Sequence, residues 1–284
     1  MKLVSYRYKE KQSFGVVVGD KLIDASGVID GADSIKTLLA RDMVPQLQAA
    51  ALEAKAHIPL SEIEFLPVIP DPGKILCVGI NYLSHVKETG REVPKHPMIF
   101  TRFADSQTSH EAAIVRPAVS EKLDFEGELA VVIGKTARHV KAEHALGYVA
   151  GYACYNDGSV RDWQKHSIQF IPGKNFPSTG GFGPWMVTSD EIADPGSLDL
   201  VTRLNGVVVQ QANTSDFIFS IPALIEYCST FTELHAGDVI ITGTTGGVGA
   251  FREPPLWMKH GDVVEVEIQG IGTLRNTVRD EAAT

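Results

Sequence analysis

The segment Leu123-Asp124-Phe125-Glu126-Gly127-Glu128-Leu129-Ala130-Val131-Val132-Ile133-Gly134 sets two carboxylates two residues apart at the head of an apolar run. In an extended chain positions i and i+2 project to one face, so Glu126 and Glu128 are expected side by side. Like charges that close repel. A hard divalent cation between them relieves the repulsion; otherwise one of the pair tends to hold a proton. A third oxygen ligand is needed, and Asp157, in Tyr155-Asn156-Asp157-Gly158 at the end of the next strand-like run, is the candidate. Three carboxylates with no His or Cys at ligand spacing select Mg²⁺ ahead of Mn²⁺ or Ca²⁺ and disfavour zinc. Such an ion keeps positions open for water or a chelating substrate. The plain alternative for an isolated Glu-x-Glu is a solvated edge strand.

The neighbouring residues argue against that alternative. Upstream, Asn81-Tyr82-Leu83-Ser84-His85-Val86-Lys87-Glu88 spaces His85 and Glu88 three apart, close enough to share a helical face and hydrogen-bond. A carboxylate beside an imidazole orients it for general-base work on water. Downstream, Arg161 and Gln164 are also three apart, on a helix expected to begin near Ser159, and are assigned to substrate polar groups. The loop Thr242-Gly243-Thr244-Thr245-Gly246-Gly247-Val248-Gly249 is glycine-rich, yet it lacks the lysine of a phosphate-binding loop and does not match Gly-x-Gly-x-x-Gly, so nucleotide binding is not expected.

Taken in order, Asn81-Tyr82-x-x-His85-x-x-Glu88, Asp124-Phe125-Glu126-x-Glu128-Leu129, Asn156-Asp157-x-x-x-Arg161-Asp162-x-Gln164, Gly173-Lys174-x-Phe176 and Thr242-Gly243-Thr244-x-x-Gly247-Val248-Gly249 resemble the fumarylacetoacetate hydrolase family over roughly residues 70 to 278. The resemblance implies Glu126, Glu128 and Asp157 as metal ligands, in agreement with the residue-based reading. It also implies a His85–Glu88 catalytic dyad, Lys174 beside the metal-proximal oxygens and Thr244 in the pocket. The fold it implies is a β-sandwich roll behind a short variable domain, assembled as a homodimer. Its leading reaction is metal-dependent hydrolysis of a carbon–carbon bond in a 2,4-dioxo acid such as an acylpyruvate. Family members also decarboxylate oxaloacetate, isomerise or hydrate unsaturated 2-oxo acids, and dehydrate sugar-derived 2-oxo acids. His85 with Glu88 favours a reaction that needs a base. Phe170-Ile171-Pro172 hints at an apolar wall suited to products of aromatic ring cleavage, with Phe103 nearby. A protein that merely sequesters an acidic metabolite around a structural ion would leave His85, Arg161, Gln164 and Lys174 idle.

These groups need a scaffold, and 284 residues can bury a large core. Lys plus Arg number 26 against 35 Asp plus Glu, and the net charge of −9 argues against nucleic acid or an anionic membrane as partner. Cys77, Cys154 and Cys228 lie in apolar surroundings without pairing spacing, which reads as buried reduced thiols. No stretch approaches the roughly 20 apolar residues of a membrane span, and no apolar leader is evident, so a cytoplasmic protein is expected.

Residues 1–68 read as a small N-terminal α+β domain. It holds strands at Lys2 to Tyr8, Phe14 to Val18 and Lys21 to Asp24, then helices over Ser34 to Ala40 and Val44 to Ala56. Val68-Ile69-Pro70-Asp71-Pro72-Gly73 is the linker, and residues 69–284 form the catalytic domain. There short strands dominate, among them Ile75 to Gly79, Met98 to Arg102, Leu129 to Ile133, Tyr148 to Tyr155, Trp185 to Thr188, Asp199 to Leu204, Val207 to Asn213, Asp238 to Thr242 and Val263 to Ile268. Asn205-Gly206 marks a hairpin, and one helix runs from about Ser220 to Phe231. The fold class is a mixed, β-rich α+β protein. Thr89 to Lys95, polar with Gly90 and Pro94, reads as a mobile lid.

Overall fold

The computed structural model describes residues 1–282 and shows two main sheets packed face to face, with a two-stranded ribbon, Leu123–Asp124 and Ser159–Val160, beside them. The larger has twelve strands and the smaller five. Across the larger sheet the main order is Ile58–Pro59, Lys21–Asp24, Lys11–Val18, Lys2–Tyr8, Gly180–Thr188, Val149–Asp157, Gly127–Ile133, Val239–Ile241, Ile75–Gly79 and Met98–Arg102. The smaller runs Val207–Asn213, Asp199–Leu204, Val263–Ile268, Gly272–Asp280 and Ile114–Arg116. This is the expected β-rich α+β roll.

Alternation along the central strand Gly127–Ile133 explains how one element serves two cores. Leu129, Val131 and Ile133 pack against Leu200, Val266, Ile268 and Leu274 of the smaller sheet. Ala130 and Val132 point the other way, into a cluster with Leu3, Phe14, Ile35, Leu38 and Phe182. A strand buried on both faces reads as a continuous apolar run, which is what this segment is. Residues 1–68 contribute to the second cluster, and Lys2 and Leu3 pair with Val187 and Met186 of the large sheet.

Local chemistry sets the element ends. Ser34 caps Ile35–Ala40 through a reciprocal pair with Thr37, and Ser220 caps Ile221–Phe231 with Pro222 in its first turn. Asn205 and Gly206 both have positive φ, 53° and 78°, as a two-residue hairpin requires. The helix Leu83–Thr89 stops at Gly90, in the left-handed region.

Two expectations are corrected. Ser159 and Val160 pair with Asp124 and Leu123 as a short strand, so the helix near Ser159 shrinks to the single turn Arg161–Gln164. The strand expected at Trp185 begins at Gly180, because glycines there make room for neighbours: a Cβ on Gly180 would lie 2.6 Å from Tyr155 Oη and 2.8 Å from Arg102 Nη2. All three cysteines are free and buried. Among the described residues no helix is long and apolar enough to cross a membrane.

Gly127 faces the smaller sheet, where an added Cβ would lie 2.0 Å from Thr202 Oγ1. Gly127→Ala should therefore force the sheets apart, costing about 1–3 kcal/mol and lowering the melting temperature by roughly 2–4 °C per kcal/mol. Calorimetry of the purified variant checks this.

Candidate active site

The candidate ligands gather where two neighbouring strands in the middle of the large sheet meet. Antiparallel pairing of Gly127–Ile133 with Val149–Asp157 sets Gly127 opposite Asn156, and Asp157 N–H donates to Glu126 O at 2.9 Å. The register thus brings Asp157 to the same place as Glu126 and Glu128. One oxygen of each of the three carboxylates lies within 4.8 Å of the others, and all three residues are buried. A buried, oxygen-only donor set fits a hard divalent ion and suits neither zinc nor copper.

The electrostatics fit as well. Lys174, from the turn Ile171–Lys174, donates to Glu126 Oε2 at 2.6 Å and to Asp157 Oδ2 at 2.5 Å. Burial would raise the Glu126 pKa, but the Lys174 ammonium and the Arg161 guanidinium bring it down to about 2. Glu128 lacks such a partner. Burial, then the charges of Asp157 and Glu126, push its carboxyl well above the usual range, although Gly243 N–H donates to it at 2.5 Å. The Lys174 ammonium is held above its ordinary range: burial opposes its charge, but Asp157 and Glu126 outweigh that.

His85 and Glu88 lie on one face of the helix Leu83–Thr89. His85 Nδ1 is 3.0 Å from Glu88 Oε2, and Glu88 Oε1 accepts from Gly247 N–H at 2.8 Å. The ring is oriented through Nδ1, which leaves Nε2 for proton transfer. His85 shares a cavity of about 600 Å³ with Glu126, Glu128, Arg161, Gln164, Lys174 and Thr244. Asp157 does not line that cavity and is one layer deeper.

All three residues assigned to the substrate, Arg161, Gln164 and Thr244, make hydrogen bonds within the protein. Arg161 Nε donates to Asp124 Oδ2 at 2.7 Å, Nη1 donates to Gln164 Oε1 at 3.0 Å, and Nη2 is 2.7 Å from Glu126 Oε1. The Thr244 hydroxyl donates to Gly127 O at 3.2 Å and accepts from Gln210 Nε2 at 2.9 Å. Thr89 and Arg91 of the expected lid line the cavity, as do Phe170, Ile168 and Phe251, whereas Phe103 does not.

Arg102 escaped the sequence reading. It is wholly buried at the end of Met98–Arg102. Nη1 donates to Asp157 Oδ1 at 2.6 Å and Gly158 O at 3.1 Å, Nη2 to Thr179 Oγ1 at 2.7 Å and Ser106 O at 3.4 Å, and Nε to Ser106 Oγ at 3.2 Å. It occupies Oδ1, while Oδ2 accepts from Lys174. Asp124 was likewise missed as an anchor: it accepts from the Gly249 and Ala250 amides at 2.8 and 2.9 Å and ties the glycine-rich loop to Arg161. The only sequence signal for Arg102 is a charge closing an apolar strand.

Ligand-supporting residues typically tune metal affinity 10–100-fold. Arg102→Lys should fold, because it keeps a cation beside Asp157, and should weaken Mn²⁺ binding by about 10–100-fold. Calorimetric titration of the variant measures it, and unchanged affinity would show that Asp157 is held without Arg102.

The geometry has relatives. Residues 74–279 match the family model described as fumarylacetoacetate hydrolase, C-terminal. The chain is 44% identical over 223 residues to the human mitochondrial oxaloacetate tautomerase FAHD2A, covering 78% of this chain and 71% of that one. Two solved structures superpose along nearly the whole length. One is a fumarylacetoacetate hydrolase from the psychrophile Exiguobacterium antarcticum, at TM-score 0.83 and 32% identity, covering 99% of this chain and 100% of that one. The other is a maleylpyruvate hydrolase from Sphingobium sp. SYK-6 in complex with manganese(II) and pyruvate, at TM-score 0.84 and 29% identity with the same coverage. Sequence motifs, fold and site geometry thus agree, and the chain belongs to the fumarylacetoacetate hydrolase family.

Proposed function

We propose that the protein is a divalent-metal enzyme interconverting the keto and enol forms of a small 2-oxo acid of the oxaloacetate type. The observation that carries this reading is a general base of fixed orientation, His85 on Glu88, sharing one cavity with Glu126 and Glu128 of a buried three-carboxylate ion site. The activity named for the human relative supports it. The manganese and pyruvate held by the maleylpyruvate hydrolase support a small 2-oxo acid as the species bound.

Glu126, Glu128 and Asp157 would hold the ion, for which Mg²⁺ and Mn²⁺ are the candidates. When bound, it supplies Lewis-acid stabilisation of negative charge on the 2-oxo oxygen. His85 Nε2 removes a proton from C3, and the electron pair of that C–H bond becomes the C2–C3 double bond while the carbonyl pair moves onto the C2 oxygen. Protonation of that oxygen completes the enol, and the reverse sequence restores the keto form. Glu88 stabilises the imidazolium in between and keeps the ring aimed. Lys174 keeps Glu126 and Asp157 paired, and Arg161 fixes Glu126.

A second reading, hydrolysis of an acylpyruvate, is favoured by the cavity itself. Its 600 Å³ exceeds what a four-carbon acid needs, and Phe100, Phe170, Ile168, Phe251 and Trp257 give it apolar walls. In that reaction His85 would activate water rather than take a carbon-bound proton.

Following enol disappearance by ultraviolet absorbance, and acid release from acylpyruvates by NMR, decides between the two. Faster turnover of oxaloacetate enol is expected; faster acid release would transfer the assignment to the hydrolase. Because a positioned base typically contributes 10²–10⁴-fold, His85→Gln should lower kcat by about that factor while Mn²⁺ content stays at the wild-type level. Chelation should abolish turnover without unfolding, as read by circular dichroism, and Mn²⁺ should restore it.

A further inference from the structure

The cavity presents more positive charge than the site described so far uses. Arg161 is held by Asp124, Glu126 and Gln164, and Lys174 by Glu126 and Asp157. Neither can grip a second substrate carboxylate without abandoning a buried partner, which is costly. Three further cations line the same cavity: Arg91, Lys122 and Lys165. All three are exposed, and among the described residues none of their side chains has an ion pair or hydrogen bond.

Their placement is set by the fold. Lys122 precedes the strand Leu123–Asp124, and its carbonyl accepts from Arg161 N–H at 3.0 Å. Lys165 closes the turn that Arg161 begins, and Lys122 is joined to the start of that turn by this backbone bond. Arg91 follows Gly90 at the end of the His85 helix. Apart from Glu126 and Glu128, the one carboxylate on the cavity wall among the described residues is Asp162, and its Oδ1 accepts from Ser120 Oγ at 2.7 Å and Trp163 N–H at 3.1 Å. A mouth with surplus positive charge on a chain of net charge −9 offsets the general repulsion of anions and focuses them locally.

We propose that Arg91, Lys122 and Lys165 form a subsite for the distal carboxylate of the substrate, so that the enzyme selects 2-oxo dicarboxylates over 2-oxo acids with a neutral tail. This rests on the reading above and narrows it. A 2-oxo carboxylate head engages the ion site, and the second carboxylate lies among the three cations at the mouth. Flexible lysines accept chains of slightly different length, whereas a rigid bidentate clamp would specify one.

The test compares wild type with the Lys122→Gln/Lys165→Gln double variant, using Lys55→Gln/Lys135→Gln, both outside this cavity, as a control for net charge. With Mn²⁺ bound, KM is measured for oxaloacetate and for its 4-methyl ester, whose tail is neutral. The double variant should raise KM for oxaloacetate roughly tenfold or more, the effect of losing one charge-assisted hydrogen bond. It should leave kcat and the ester unchanged. Equal effects on both substrates, or none on either, would overturn the subsite. If wild type turns over neither compound, the tautomerase reading falls, and calorimetry decides the subsite separately. The Mn²⁺-loaded protein is titrated with 2-oxoglutarate and with 2-oxopentanoate. A preference for the diacid that disappears in the double variant supports the subsite, and equal affinities in wild type refute it.

Discussion

A balance of buried charge governs this molecule. Asp124, Glu126, Glu128 and Asp157 face Arg102, Arg161 and Lys174, and all seven are buried. Four carboxylates against three cations leave one negative charge without a partner, and it falls on Glu128, whose proton affinity is raised accordingly. Burying such a charge is expensive unless a counter-charge arrives or a proton stays. A divalent ion would turn the surplus negative charge into a surplus positive one, and the head carboxylate of a 2-oxo acid would then neutralise it. The site's single surplus negative charge and the substrate's head carboxylate together match the two charges of the ion, which makes their association mutually reinforcing.

The backbone carries this arrangement through strand register rather than loop geometry. Gly127 and Asn156 are opposite residues, so the ligands on either side of them come together with the sheet itself. Gly127 faces Thr202 and Gln210 while Glu126 and Glu128 lie on the other face, and Gly127 N–H donates to Gln210 Oε1 at 2.9 Å. Packing of the second sheet and placement of the ligands are therefore one event. Preorganised groups of this kind lose little entropy when an ion or substrate binds.

What could be read from the chain follows how local each feature is. Glu126 and Glu128 were legible from two-residue alternation, and His85 with Glu88 from a three-residue helical step; both spacings survive in the structure. The strands Ile75–Gly79, Asp199–Leu204 and Val263–Ile268 were legible because β-branched runs end there at turn residues. Gly180–Thr188 was legible only in part: its glycines look like loop until Arg102 and Tyr155 are seen filling the space a side chain would take. Arg102 meets Asp157 across 55 residues, and Arg161 meets Asp124 across 37. No periodicity encodes such partners. For the same reason Arg161 and Thr244 could be located near the site, while their hydrogen-bond partners could not be foreseen.

The ligand-bearing strands lie deep within two packed layers, whereas Arg91, Lys165, Ile168 and Phe251 come from short connecting segments at the rim. Reactivity and selectivity thus reside in mechanically separate parts of the molecule. Amino-acid exchange at the rim can re-tailor which acid enters without disturbing the inner cage, so a single architecture is able to serve hydrolases, isomerases and tautomerases alike.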